Sequence, residues 1–237
     1  MIFSTLVCSS LLAAMAGCNH EQTQVIPAIP DADTIKAISY LALGDSYTIG
    51  QSVAAVERFP RQLADSLSGM GYETTLKIIA QTGWTTADLK AGIQAANITG
   101  NTYDLVTLLI GVNNQYRGFS IGGYQTEFTQ LLEQAILFAG NDPLKVVVLS
   151  IPDYAYTPFG QNRPNPNEIS QQIDAFNAAC QEITVQHGVL FVDITPISRE
   201  GLDDPALVAP DKLHPSGSMY ARWVTAMLPG VLTALNR

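Results

Sequence analysis

The chain has 237 residues, 47% of them hydrophobic and only 14% charged, with a formal net charge of −9. That composition excludes a disordered chain, and the 12 basic residues form no cluster, which excludes an electrostatic nucleic-acid binder. Three cysteines, Cys8, Cys18 and Cys180, are too few for a disulfide framework and lack the spacing of a metal site.

Residues 1–18, MIFSTLVCSSLLAAMAGC, carry no charged side chain. An apolar core ending in small residues before a cysteine reads as a secretory signal. Ala16-Gly17-Cys18 resembles the end of a bacterial lipoprotein box, with Cys18 the lipidated residue. The segment departs from that pattern in two ways: no basic residue precedes the core, and Met15 stands where the box prefers Leu. It is too short and too rich in Ser, Thr and Gly for a transmembrane helix. The expectation is an exported protein of the bacterial cell envelope, meeting a membrane only through an acyl anchor on Cys18. Residues 19–37, broken by Pro27 and Pro30, have no period and read as a tether. No repeat or second linker follows, so 38–237 reads as one domain.

Ile38 to Leu43 is an apolar run that stops at Gly44-Asp45-Ser46. It reads as a buried strand delivering a serine to a tight turn, with a helix starting just beyond. Phe59 to Leu67 predicts a helix ending at Gly69 or Gly71. Thr74 to Ala80 reads as a second strand, and Thr86 as the N-cap of a helix to about Asn97. Tyr103 to Ile110 predicts a third strand, running into Gly111-Val112-Asn113-Asn114, and a long helix covers 123–139. Leu144 to Ile151 predicts strand four, 153–167 a polar, proline-rich loop, and Ile169 to His187 an amphipathic helix. Strand five spans 188–194 and a last helix 217–235. Continuous apolar strands alternating with helices predict a parallel sheet covered on both faces. Sites on such sheets lie beyond the C-terminal strand ends, where Ser46, Gly83 and Asn113 fall.

Near the C-terminus stands Asp211-Lys212-Leu213-His214-Pro215-Ser216-Gly217. Of the three histidines, His20 falls in the tether and His187 at a helix C-terminus, where a cation is favourable. His214 differs. Pro215 biases it to an extended conformation and Ser216 can cap the next helix. Asp211 can then accept from His214 Nδ1–H and leave Nε2 free to take a proton from a hydroxyl. Cys180 reads as a buried thiol on a helix face.

Together these pieces resemble the SGNH, or GDSL-like, hydrolases. Gly44-Asp45-Ser46 is similar to the family's first block, Gly83 to the glycine of its second, Gly111-Val112-Asn113-Asn114 to its third, and Asp211-Lys212-Leu213-His214 to its last. The resemblance covers about 38–237, with the blocks in order. Asn114 departs from the Asp usual there, and Tyr47 from the common Leu. The resemblance implies an α/β fold, a three-layer α/β/α sandwich of flavodoxin-like type with a mostly five-stranded parallel sheet. It also implies catalytic Ser46, His214 and Asp211, an oxyanion hole of Ser46, Gly83 and Asn113, and neither cofactor nor metal.

Tyr47, Trp84, Tyr116, Arg117 and the loop from Tyr154 to Phe159 are candidate substrate-binding residues, with Arg117 placed to meet an anionic substrate. Short loops after strands three and four favour short acyl groups, such as acetyl, on a carbohydrate or other small alcohol. The alternatives are an acyltransferase, a lipase or lysophospholipase of the same fold, and a catalytically silent surface binding protein. The sequence leaves the oligomeric state open.

Overall fold

The computed structural model describes residues 35–237. The expected signal, Cys18 and the tether as far as residue 34 lie outside them. The first half of the chain runs β1 (Lys36–Gly44), α1 (Ser46–Ile49), α2 (Phe59–Ser68), β2 (Tyr72–Ala80), α3 (Thr86–Ala95), β3 (Leu105–Leu109), α4 (Val112–Tyr116) and α5 (Ile121–Phe138). The second half runs β4 (Val146–Leu149), α6 (Pro158–Gln161), α7 (Pro166–Gln186), β5 (Leu190–Val192), α8 (Thr195–Ser198) and α9 (Gly217–Leu235). β1 begins inside the stretch read as tether, because Lys36 and Ala37 pair with Tyr72 and Glu73 of β2.

All five strands are parallel, in the order β2-β1-β3-β4-β5. Right-handed crossovers dictate the layers. The step from β1 to β2 runs one way along the sheet and every later step runs the other way. α2 therefore covers one face, while α3, α5 and α7 cover the opposite one. α9 returns to pack on α2, and α5 packs against both α3 and α7. The strand order reverses between β1 and β3, which is where a sheet of this kind opens a crevice.

Burial grades across the sheet. Tyr40 to Leu43 in β1, Leu105 to Leu109 in β3 and Val146 to Leu149 in β4 are wholly buried. β2 and β5 stand at the edges and are only partly covered. The cap of α3 is Thr85 rather than Thr86, because Asp88 lies three residues beyond Thr85 and completes a reciprocal capping box with it. The stretch read as an irregular loop from 153 to 167 holds a 3-10 turn at Tyr154–Tyr156, α6, and the first turn of α7. Among the described residues, no helix is long and apolar enough to cross a membrane.

The register puts three strand ends at one level: Gly44 pairs with Ala80 on one side and Leu109 on the other. A Cβ on Gly44 would lie 2.1 Å from Thr48 Oγ1 and 2.4 Å from the Leu109 carbonyl. Gly44→Ala is therefore expected to destabilise the fold by about 1–3 kcal/mol, read as a lower urea midpoint. An unchanged midpoint would mean that both α1 and the end of β3 can give way at no cost.

Candidate active site

At the end of β1, Asp45 caps α1: its Oδ1 accepts from the Tyr47 N–H at 3.0 Å. Ser46 is the first residue of α1, so its own N–H has no carbonyl one turn earlier to bond. After β2, Gly83 adopts φ +83°. That region belongs to glycine; a Cβ there would meet only Arg117 Nη2, at 3.8 Å, so conformation rather than crowding by the protein demands it. After β3, α4 carries Asn113, whose Nδ2 donates to the Trp84 carbonyl at 2.9 Å. One amide proton is thereby anchored and the other is free.

The fourth segment closes on itself. Ala209 N–H donates to the His214 carbonyl at 2.7 Å, Ser216 N–H donates to the Leu207 carbonyl at 2.8 Å, and Lys212 makes the turn at φ +67°. Asp211 sits inside it and accepts from four donors. Oδ1 takes the backbone N–H of Leu213 and of His214, each at 3.0 Å, and Oδ2 takes His214 Nδ1 and Ser52 Oγ, each at 2.6 Å. Burial would push this carboxyl up, but those bonds outweigh it and hold the pKa at about 2. Asp211 therefore stays ionised at neutral pH, and the Nδ1 proton it accepts leaves Nε2 of His214 as the basic nitrogen.

Ser46 and His214, both largely buried, open with Gly83 and Asn113 onto one cavity of about 210 Å³. Its remaining walls include Tyr47, Val112, Tyr116, Tyr154, Phe159 and Leu213. Tyr47 also packs edge-on against the imidazole of His214, with ring centroids 5.5 Å apart.

Two candidates from the sequence take other roles. The Trp84 ring lies against Gly92 of α3, where a Cβ would come within 2.1 Å of it, and only the Trp84 backbone reaches the site. Arg117 does not line the cavity. Its Nη2 donates to the Gly83 carbonyl at 2.6 Å and its Nη1 stands 3.7 Å from Asp88. It braces the Gly83 turn against α4. Ser52, which holds Asp211, escaped the sequence reading: its φ of +67° and its reach across 159 positions leave no local signal.

Asn114 is fully buried and ties α4 to α3. Its Oδ1 accepts from the Thr86 N–H at 3.0 Å and its Nδ2 donates to Thr86 Oγ1 at 2.6 Å. The Thr86 hydroxyl in turn donates to Glu127 of α5. The residue that departs from the family pattern thus serves the packing of α4 against α3.

Residues 42–222 match the model of the GDSL-like lipase/acylhydrolase family. The chain belongs to this family. As a GDSL-like acylhydrolase it is an ester hydrolase. Solved structures of similar fold include TesA (TM-score 0.66, 19% identity, covering 83% of this chain and 99% of that one). Another is the psychrotrophic esterase EstA from Pseudoalteromonas sp. (0.62, 17%, 84% and 99%). A third is the acetylxylan esterase Axe2 from Geobacillus stearothermophilus (0.62, 20%, 84% and 96%). At these identities the likeness is one of fold. A comparison with curated proteins gives no match.

One buried carboxyl of this GDSL-like site carries a pH signature. Burial pushes Asp45 from 3.8 up to about 7, against the bond it accepts from Tyr47 N–H. Its Oδ2 is buried without a hydrogen-bond partner among the described residues. The fold therefore prefers the protonated form. The stability tied to this group is full below pH 3.8, the ordinary value, and is lost as pH rises toward 7. Asp45→Asn keeps an acceptor for the Tyr47 N–H and cannot ionise. Its Tm relative to the wild type is expected to be higher at pH 8 than at pH 5; an equal offset at both would show that Asp45 is ionised throughout.

Proposed function

We propose that the chain is a serine esterase that removes short acyl groups, such as acetyl, from a carbohydrate or other small alcohol. One observation carries the reading: His214, whose Nδ1 lies 2.6 Å from Asp211, opens on the same cavity as Ser46, Gly83 and Asn113. In this reading Ser46 Oγ bonds to the ester carbonyl carbon while its proton passes to His214 Nε2. The oxyanion is met by the N–H groups of Ser46 and Gly83 and by the free amide proton of Asn113. The C–O bond to the alcohol then breaks, and the alkoxide leaves with the proton from His214. Water, deprotonated by His214 in turn, releases the acid from Ser46. Asp211 stabilises the imidazolium at each step.

The short acyl group is supported by the cavity, whose 210 Å³ lies below the range of about 300–1,000 Å³ usual for drug-sized ligands. The acetylxylan esterase among the structural neighbours acts on an ester of that kind. The proposal also puts the domain outside the cytoplasm, held by the acyl anchor read at Cys18.

Hydrolysis of p-nitrophenyl esters from C2 to C12 by the full-length protein tests this. Activity is expected to fall with chain length, and Ser46→Ala and His214→Ala to lose on the order of a million-fold in kcat. A fluorophosphonate should label Ser46; the Pseudoalteromonas esterase has been captured inhibited by monoethylphosphonate. Faster turnover of C8–C12 than of C2–C4 would defeat the short-acyl reading, and activity surviving Ser46→Ala would defeat the nucleophile.

Arg117→Met should slow kcat by roughly tenfold or more with little change in KM, less than the 100- to 1,000-fold of deleting an oxyanion donor. Arg117→Lys should recover part of it. A change confined to KM would mean that Arg117 meets the substrate instead of bracing Gly83.

A further inference from the structure

Tyr116 and Tyr154, which wall the cavity at Ser46, also face a second hollow. These rings stand edge to face, 6.1 Å apart, and the second hollow measures about 290 Å³. Arg163, Asn165, Glu168 and Gln172 bound it, and a trough continues along the start of α7 to Phe119.

The floor of this hollow is a hydrogen-bonded polar chain that starts at the buried Gln115 and ends in exposed side chains. Gln115, 5% exposed, donates from Nε2 to Gln172 Oε1 at 2.7 Å. Gln172 Nε2 donates to Glu168 Oε1 at 3.1 Å, and Asn165 Nδ2 donates to Glu168 Oε2 at 3.1 Å. The Gln115 side chain lies close to the Tyr154 hydroxyl, but its buried Oε1 makes no hydrogen bond of proper geometry among the described residues.

Aromatic faces flank this floor. Tyr116 is 48% exposed and Phe119 46%. The Arg163 guanidinium rests over Tyr116 at 5.4 Å and over Phe159 at 5.5 Å. No carboxylate pairs with it among the described residues, so its donors are uncommitted.

Flat apolar faces beside planar donors and acceptors suit a sugar ring. Its C–H face can lie on an aromatic ring, and its neighbouring hydroxyls can pair with amide, carboxylate and guanidinium edges. A fatty chain here would strip water from Gln115, Glu168 and Gln172 and return no bonds. An anionic sugar would meet Glu168 as well as Arg163. We propose that this hollow binds the alcohol side of the substrate as a neutral oligosaccharide, whose ester reaches Ser46 across the Tyr116–Tyr154 pair. The direction of the chain rests on the esterase reading; the sugar site itself does not.

Calorimetric titration of the full-length Ser46→Ala protein with xylotetraose, cellotetraose and chitotetraose tests the site without turnover. At least one is expected to bind with a Kd of about 1 mM or tighter. In the same background, Glu168→Ala with Gln172→Ala should raise that Kd about tenfold or more, the loss of roughly two hydrogen bonds. Gln172→Ala alone, on the outer side of α7, is the fallback where the double variant does not melt like its parent; it should raise Kd at least about threefold. No saturable binding of any of the three, or an unchanged Kd in the variants, overturns the proposal. So does binding of trigalacturonate with none of the neutral sugars. Hydrolysis of p-nitrophenyl acetate by the wild type is read separately: its absence would sink the esterase reading and leave the binding result standing.

Discussion

The meeting of Ser46, Gly83 and Asn113 depends on one register, the pairing of Gly44 with Ala80 and Leu109. A one-residue slip would exchange the two faces of a strand, and side chains packed to fit one covering layer would have to fit the other. Because that register is fixed by packing, the segments leaving β1, β2 and β3 depart at one level. Ser46, Gly83 and Asn113 then meet without any contact between them having to be strong. The remaining bonds only trim the arrangement: Asn113 to Trp84, Arg117 to Gly83, and Thr82 Oγ1 to Gln51 Oε1 at 2.7 Å.

The basic side of the site is attached differently. His214 stands on a self-closed turn and not at a strand end, and two neighbours hold that turn. Ser52, from the segment after α1, bonds Asp211. The Phe159 N–H donates to the Lys212 carbonyl at 3.0 Å, which fastens the segment after β4 to the same turn. The segments carrying Ser46, His214 and the cavity wall are thus cross-linked by hydrogen bonds between residues far apart in sequence.

What the sequence showed, and what it hid, follows from this division. Elements made by local pattern were legible: the apolar strands, the Gly-Asp-Ser turn, the Asp-x-x-His segment, and the last helix with its Ser216 cap. Strand ends were less legible, in the buried β3 and β4 as much as at the edges, because the apolar run and the paired ladder do not stop at the same residue. Long-range hydrogen bonds left no trace in the sequence. Ser52 looked like any loop serine. Arg117 and Trp84 looked like binding residues, since sequence position beside Asn113 and Gly83 does not say which way a side chain turns. The segment from Tyr154 to Phe159 was recognised as a wall, but its helical turns were not, because Pro158 and Gly160 sit within them.

The hydroxyl of Thr86 offers one proton, and two elements have a claim on it. With Asn114 donating to that oxygen, the proton is free to go to Glu127. A carboxylate at 114 could not donate and would compete with Glu127 for the single proton, setting two acceptors against one donor in a closed space. Positions 114 and 127 therefore cannot drift independently. A chain with Asp at the first is under pressure to give up the acid at the second, and the two should be found changing together.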